Sequence, residues 1–539
     1  MSRTRAATGK AADLWRPLRT PIFRQLLIAD IVSDVGTFMQ GVGSAWLMVS
    51  LGAGPLYVAL TQTASTLPFF LLALPAGAIG DIADRRRLIL WTEIWMVSVA
   101  ITLAAVTLSG VVTPWLLLGL TFALSAGDAV ETPTWRAVLP ELVGKDDLAA
   151  ASALNGIEFN IARAIGPALA GGLIAVAGVG AAFLVNVVSF FGVILVVARW
   201  RRPVRPRTAP AETLEGATIA AIRYVLNAPA TTAVMLRSGV VMFCASAPFA
   251  LLPTVAHAIS TSAIGYGILL GCFGAGAVGG ALVMQSAKAR WPTETVVSAA
   301  IAILGVMTAA IPTVRTLPGL MVVMFVSGGA WLTFISLANA LVQRLAPDWV
   351  RARVLAVFML ITQGGLAAGS VLWGTVGSRV SVDAALLWAG VATIATTALG
   401  LVARLPDDVA DVSPWNHWRM PAIVEGVMPG LDQGPVLVTV EYRVDSEHVN
   451  PFLRAMQHYG RVRRRDGASR WGVFRDVERS DTYLESFLVT SWAEHLRQHE
   501  RLTQADAEIE RQVRGFARET PTVRHLIRAH PSRTTSATE

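Results

Sequence analysis

Residues 56–109 read LYVALTQTASTLPFFLLALPAGAIG (Leu56–Gly80), DIADRRR (Asp81–Arg87) and LILWTEIWMVSVAITLAAVTLS (Leu88–Ser109). Each apolar stretch has the roughly 20 residues that a helix needs to cross a bilayer. The short loop between them carries Asp81, Asp84, Arg85, Arg86 and Arg87. Two spanning helices joined by a charged loop make a membrane hairpin, and the rest of the chain repeats that pattern.

Composition agrees. Over 539 residues the hydrophobic fraction is 53% and the charged fraction 15%, against about 25% charged in soluble domains. A water-soluble surface cannot be built from so few charges, so lipid must cover much of it. The net charge of +8 would suggest nucleic-acid binding in a soluble chain. Here the basic residues sit in short loops and tails, which fits membrane topology and no nucleic-acid partner.

Outward from the hairpin, the same ruler predicts six spans before the middle of the chain: Ile22–Leu51, Leu56–Gly80, Leu88–Ser109, Pro114–Leu139, Leu148–Ala177 and Ala181–Trp200. Six more follow: Thr231–Ala256, Ala263–Ala287, Thr295–Val314, Pro318–Leu345, Val350–Ser378 and Ala384–Leu405. The predicted organisation is a tail (1–21), a six-helix bundle (22–200), an Arg-rich central linker (201–230), a second six-helix bundle (231–405), a linker (406–434), a soluble domain (435–530) and a final tail (531–539). No short apolar core followed by a cleavage site is seen at the N-terminus, so the first stretch reads as a retained helix. Basic residues crowd one side: the N-terminal tail, Arg85–Arg87, Lys145, Arg201, Arg202, Lys288, Arg290, Arg344 and Arg351. Arg315 and Arg379 mark the other. By the positive-inside rule both termini are expected in the cytoplasm of a cell-membrane protein.

No Gly-Lys-Ser/Thr phosphate loop occurs, since Lys10, Lys145 and Lys288 precede Ala11, Asp146 and Ala289. A chain acting alone must then draw on an ion gradient. Charges inside spans are functional candidates by default. At about 1.5 Å per residue, Asp34 falls near mid-membrane and Asp30 one turn shallower. Glu158 lies at similar depth, Arg163 deeper, and Asp128 and Glu131 in the cytoplasmic half of helix 4. A desolvated carboxylate suits proton coupling, so Asp34, Asp30 and Glu158 are the proton-coupling candidates. A fixed ion pair, such as a helix 1 acid with Arg163 or Glu131 with Arg85, is the structural alternative for these acids. The glycines of helix 8, Gly265, Gly267, Gly271, Gly274, Gly276, Gly279 and Gly280, read as close helix packing.

The loop Gly77-Ala-Ile-Gly-Asp81-Ile-Ala-Asp84-Arg85-Arg86 resembles the signature of the major facilitator superfamily. Ile82 and Asp84 depart from the common pattern, where a basic residue and Gly are usual. The resemblance implies a conformational latch at Gly77, Asp81, Arg85 and Arg86. Arg163-Ala-Ile-Gly166-Pro167-Ala-Leu-Ala170-Gly171-Gly172 resembles the Gly-Pro motif of the superfamily's antiporters, with Ala in place of one usual Gly. Gly127-Asp128 through Glu131-Thr-Pro133, Leu139-Pro140-Glu141, Asn155 and Asn186 to Phe190 together resemble the enterobactin-exporter and macrolide-efflux-like branch, the transmembrane secretion effectors, over about Phe23–Leu405. The implied fold is the all-α 12-helix (6+6) bundle. The implied activity is proton-antiport export of small amphipathic, drug- or siderophore-like molecules by alternating access. Nutrient import by the same fold, or a membrane-anchored sensor or enzyme, are the alternatives. The implied partners are the substrate, protons and the bilayer.

Beyond the linker, Val436–Val444 has strand spacing and Val449–Tyr459 helical spacing. Trp471–Phe474 and Tyr483–Val489 read as strands, and Trp492–Phe516 as a charged helix. This is a small α+β domain of ferredoxin-like type. It resembles the antibiotic-biosynthesis-monooxygenase barrels and is a candidate dimerisation module. His448, His458, His495 and His499 raise a metal or haem reading, and His495 and His499, one helical turn apart, could share an ion; those two lie in a highly charged helix read as solvated, so no metal and no cofactor is expected, and Cys244 and Cys272 offer no metal spacing.

Overall fold

A computed structural model describes residues 14–82, 84–201, 214–260, 262–415 and 430–528. The side chains of residues 73, 74, 77–82, 145, 214, 215 and 217 also lie outside the description. The first half holds α1 (Pro21–Ser50), α2 (Pro55–Ile82), α3 (Arg85–Leu108), α4 (Pro114–Leu142), α5 (Leu148–Ala177) and α6 (Val179–Arg199). Proline opens α1, α2 and α4, where its missing N–H costs nothing. The Asp84 carboxylate accepts from Arg87 N at 2.9 Å and caps α3. Gly178, at φ +80°, turns the chain between α5 and α6.

After a short helix α7 (Leu214–Asn227) come α8 (Pro229–Cys244) and α9 (Ala247–Ile259), two parts of one span interrupted at Ala245–Ser246. Then follow α10 (Ala263–Lys288), α11 (Thr293–Ala310), α12 (Leu317–Leu345), α13 (Arg351–Arg379) and α14 (Val382–Ala395), the last prolonged through a 3-10 turn into α15 (Leu399–Val402). Ten of these segments are long and apolar enough to cross a membrane. The other two long helices are α2 and α4, and α4 carries Asp128 and Glu131. The expected six-plus-six arrangement is present among the described residues.

The chain divides into two compact units. The first comprises Met1–Pro210, Met235–Asn339 and Phe358–Asp407 and holds most of the helices. Within it, α1 packs on α5 and α6, α3 on α4 and α6, and α11 on α14. The two six-helix sets meet along α2 with α13 and α5 with α10. Leu56 N donates to Ser378 Oγ at 2.9 Å and Thr63 Oγ1 to the Ala367 carbonyl at 3.2 Å. A Cβ added at Gly171 would lie 2.9 Å from the Ala263 carbonyl oxygen, and one at Gly267 would lie 2.6 Å from that of Pro167. Only glycine fits this backbone-to-backbone approach. These contacts lie at the end away from Arg85 or near mid-helix. Nearer the Arg85 end, Arg136 Nη1 stands 3.5 Å from Met359 Sδ across the seam.

The second unit comprises Ala211–Val234, Ala340–Val357 and Asp408–Glu539. Its sheet is antiparallel, ordered β2 (Ser469–Arg475), β3 (Thr482–Val489), β1 (Val436–Arg443), β4 (Thr522–Ile527). With α16 (Val449–Asp466) and the pair α17 (Trp492–Glu500) and α18 (Gln504–Gly515), the order β-α-β-β-α-β is ferredoxin-like. Val436, Val438, Val440 and Tyr442 alternate into the core against Phe452, Met456 and Tyr459 of α16. β4 was not expected from the sequence, because Arg524 and His525 interrupt its apolar pattern. The single long helix expected over Trp492–Phe516 is two, α18 starting anew at the Thr503–Asp506 capping box.

This unit also takes in α7 and the turn between α12 and α13. Arg223 Nη2 bonds Glu494 Oε1 at 3.1 Å, and Arg223 Nε bonds the Arg465 carbonyl at 3.2 Å. Tyr224 donates its hydroxyl to the Leu345 carbonyl at 2.6 Å. The Arg465 guanidinium stands 5.6 Å from the Tyr224 ring centre, and that of Arg501 4.6 Å from Trp349. Arg501 in turn bonds Glu494 at 2.6 Å and the Asp466 carbonyl at 2.8 Å. Arg501, Arg497 and Arg223 hold the Glu494 carboxyl below the ordinary range despite its burial.

Candidate functional site

The acids expected in helices 1, 4 and 5 come together, and a sixth joins them. Asp30 and Asp34 stand one turn apart on α1. Asp128 and Glu131 lie on α4, Glu158 on α5 and Glu93 on α3. Glu93, Glu131 and Glu158 are buried. Trp135 Nε1 donates to Asp30 Oδ2 at 3.0 Å, Thr92 Oγ1 to Glu131 Oε2 at 2.6 Å, and Thr132 Oγ1 to Asp128 Oδ1 at 3.1 Å. The Asp34 and Glu158 carboxyls lie close to each other, as do those of Glu93 and Glu131. Glu93 Oε2 and Glu158 Oε1 are buried without a hydrogen-bond partner. Among the described residues no Lys or Arg forms an ion pair with any of the six. Carboxylates gathered this closely on four helices repel one another when charged.

The two ion pairs considered from sequence take other partners. Arg85 Nη1 bonds Glu141 Oε1 and the Ala137 carbonyl, each at 2.8 Å, instead of Glu131. Arg163 lies 5.7 Å from the centre of the Phe273 ring on α10. Arg86 donates from Nε to the Val197 carbonyl at 3.0 Å and from Nη2 to that of Ala198 at 2.5 Å, capping the end of α6. The latch arginines thus tie the start of α3 to α4 and α6. Gly77 and the Asp81 side chain lie outside the described residues. In the α5 motif, Gly166 faces Phe38 and Val35 of α1, while Pro167 and Gly171 face α10 across the seam.

Sequence reasoning missed two charged groups. Glu93 sits in the apolar run of the opening hairpin and meets the same rule that singled out Asp34. Arg237 on α8 is 1% exposed; its Nη1 bonds both Glu294 oxygens at 2.7 Å and its Nη2 bonds Ser298 Oγ at 2.8 Å. Glu294 Oε2 also accepts from Leu405 N at 2.9 Å. The pair fixes the start of α11 to α8, while Arg237 Nε is buried without a hydrogen-bond partner.

Comparison with known proteins agrees with this architecture. The family profile described as "transmembrane secretion effector" matches residues 12–534. A staphyloferrin A transporter of Staphylococcus aureus is 30% identical over 163 residues, 30% of this chain and 41% of that protein. The enterobactin exporter EntS of Salmonella choleraesuis is 27% identical over 378 residues, 67% of this chain and 87% of the exporter. Among solved structures, the nucleoside transporter NupG aligns at TM-score 0.56 and 12% identity, covering 71% of this chain and 98% of its own. A bacterial homologue of the human lysosomal transporter Spinster, in an inward-facing conformation, aligns at TM-score 0.57 and 14% identity, covering 72% and 96%.

Proposed function

The chain belongs to the transmembrane secretion effector family of major facilitator transporters, and from that premise we propose that it exports small amphipathic molecules of siderophore- or drug-like kind by proton antiport. The observation that carries this reading is the six-carboxyl cluster on α1, α3, α4 and α5. Among the described residues none of the six forms an ion pair with a Lys or Arg, so loading and unloading a proton there changes the charge of the bundle interior. An exchanging carboxyl is what antiport needs, because the proton and the substrate must alternate at one site.

Alternating access is supported by the seam. Its backbone-to-backbone contacts, Gly171 against Ala263 and Gly267 against Pro167, hold the two six-helix sets together at the end away from Arg85. The proposed orientation puts the Arg85 loop and both termini in the cytoplasm, from the loop charges. In that orientation these close contacts lie on the outer side, which supports a state ready to take up cargo from the cytoplasm. Arg85 and Arg86 act as latches there, with Glu141 and the end of α6 as their catches. Export as the direction rests on the EntS likeness, and the substrate class on EntS and the staphyloferrin A transporter together.

Counterflow and uptake in proteoliposomes, with a panel of catecholate, citrate-type and amphipathic drug compounds, test the reading. At least one compound should accumulate against its gradient when a proton gradient is imposed, and a protonophore should collapse the accumulation. Accumulation indifferent to the proton gradient would overturn the coupling.

A further inference from the structure

We propose that His495, His499 and His525 form a binding site for one divalent transition-metal ion of the zinc type. The site lies in the α+β unit and is separate from the membrane acids. His495 and His499 stand one turn apart on α17, and His525 comes from the neighbouring strand β4. Their ligand nitrogens all lie within 4.8 Å of one another. The Nε2 atoms of His495 and His499 are 3.4 Å apart. Two nitrogens bound to tetrahedral zinc at about 2.0–2.1 Å are separated by about that same distance. The imidazole centres of His495 and His525 are 4.8 Å apart, so a side-chain adjustment of His525 completes a three-nitrogen face.

The reading of these histidines as solvated is corrected by the packing. His495 is 1% exposed, with the Trp492 ring 5.3 Å away. Trp492 also walls His525 at 6.2 Å. Burial, with His525 and Arg463 nearby, pushes the His495 imidazole down to about 4, and burial and Arg463 also lower His525. The neutral imidazole is the form that offers a lone pair. Arg463 is a positive group near the pair that would oppose a cation, and its charge is engaged by Glu485, whose Oε1 accepts from Nε at 3.2 Å. His499 and His525 are half-buried, which leaves an open side for a fourth, solvent ligand. The 3.4 Å spacing lets one Nε2–H donate to the other Nε2. On binding, the donating ring takes the Nδ1–H tautomer, and both Nε2 lone pairs turn to the ion. Three neutral imidazoles select zinc, cobalt, nickel or copper over calcium or magnesium.

The test uses the full chain in detergent, purified on a tag without histidine and stripped of metal. Co2+ is the spectroscopic probe and Zn2+ the competitor. One equivalent of Co2+ should give the intense visible bands of a tetrahedral nitrogen site, displaced by Zn2+. His495 is buried and its replacement endangers the fold, so the half-buried pair carries the test. His499→Asn and His525→Asn should each weaken binding by more than about tenfold, and together abolish it, while the exposed His458→Asn binds as wild type. A full chain that gives no tetrahedral cobalt spectrum, or a folded double variant that binds like wild type, overturns the site.

Discussion

Asp34 on α1 and Glu158 on α5 lie close together, and their accessibility separates their expected roles. Asp34 is half-buried, flanked by Asp30 a turn away, whereas Glu158 is buried with one oxygen lacking any partner. The more accessible partner is the better gate for a proton entering from an aqueous cavity. Asp34→Asn keeps the shape and removes the titration. It should abolish accumulation driven by a proton gradient and leave downhill substrate exchange near wild type, both read in proteoliposomes. Full proton-driven accumulation in Asp34→Asn, with loss in Glu158→Gln, would move the carrier to α5. Five of the six acids were legible in the sequence because a charge in an apolar run is conspicuous. Their coming together was not, since helix rotation and long-range packing decide it. The Arg237–Glu294 pair was hidden for the same reason, its members lying 57 residues apart.

At the level of helices, the α5–α10 contact carries a built-in control. Gly171 has no room for a side chain, while its neighbour Gly172 has nothing within 4 Å of an added Cβ. Gly171→Leu should wedge the seam, suppressing counterflow while substrate still binds in detergent. Gly172→Leu should transport as wild type. Equal transport by both variants would show that this contact need not re-form during the cycle. The glycines of α10 were recognisable as packing residues from their spacing, but their partner was not. Nothing in a stretch of small residues states which helix it meets. β4 shows the opposite failure: an edge strand may carry Arg524 and His525 because one of its sides is free of a neighbour, and that erases the alternation by which strands are recognised.

For the whole molecule, the loop charges make a prediction independent of any helix contact. Reporter fusions after Trp200 and after Leu405 should both report the cytoplasm, and a fusion after Arg315 the outside. Any pattern with an odd number of crossings between Trp200 and Leu405 would invalidate the proposed orientation. The twelve-span plan was readable because hydrophobic length is a one-dimensional signal. The make-up of the second unit was not, since α7, the turn at 345–349 and the C-terminal sheet are distant in sequence. That arrangement sets a timetable for synthesis. Arg223 and its partner Glu494 are 271 residues apart. At about 5–20 residues per second the ribosome needs roughly 15–55 s to deliver the second after the first. For that interval α7 has emerged while the surface that will cover Arg223 and Tyr224 does not yet exist. The last unit of the protein to close is therefore one begun before half the chain was made, and a nascent chain stalled anywhere between must wait with that helix face open.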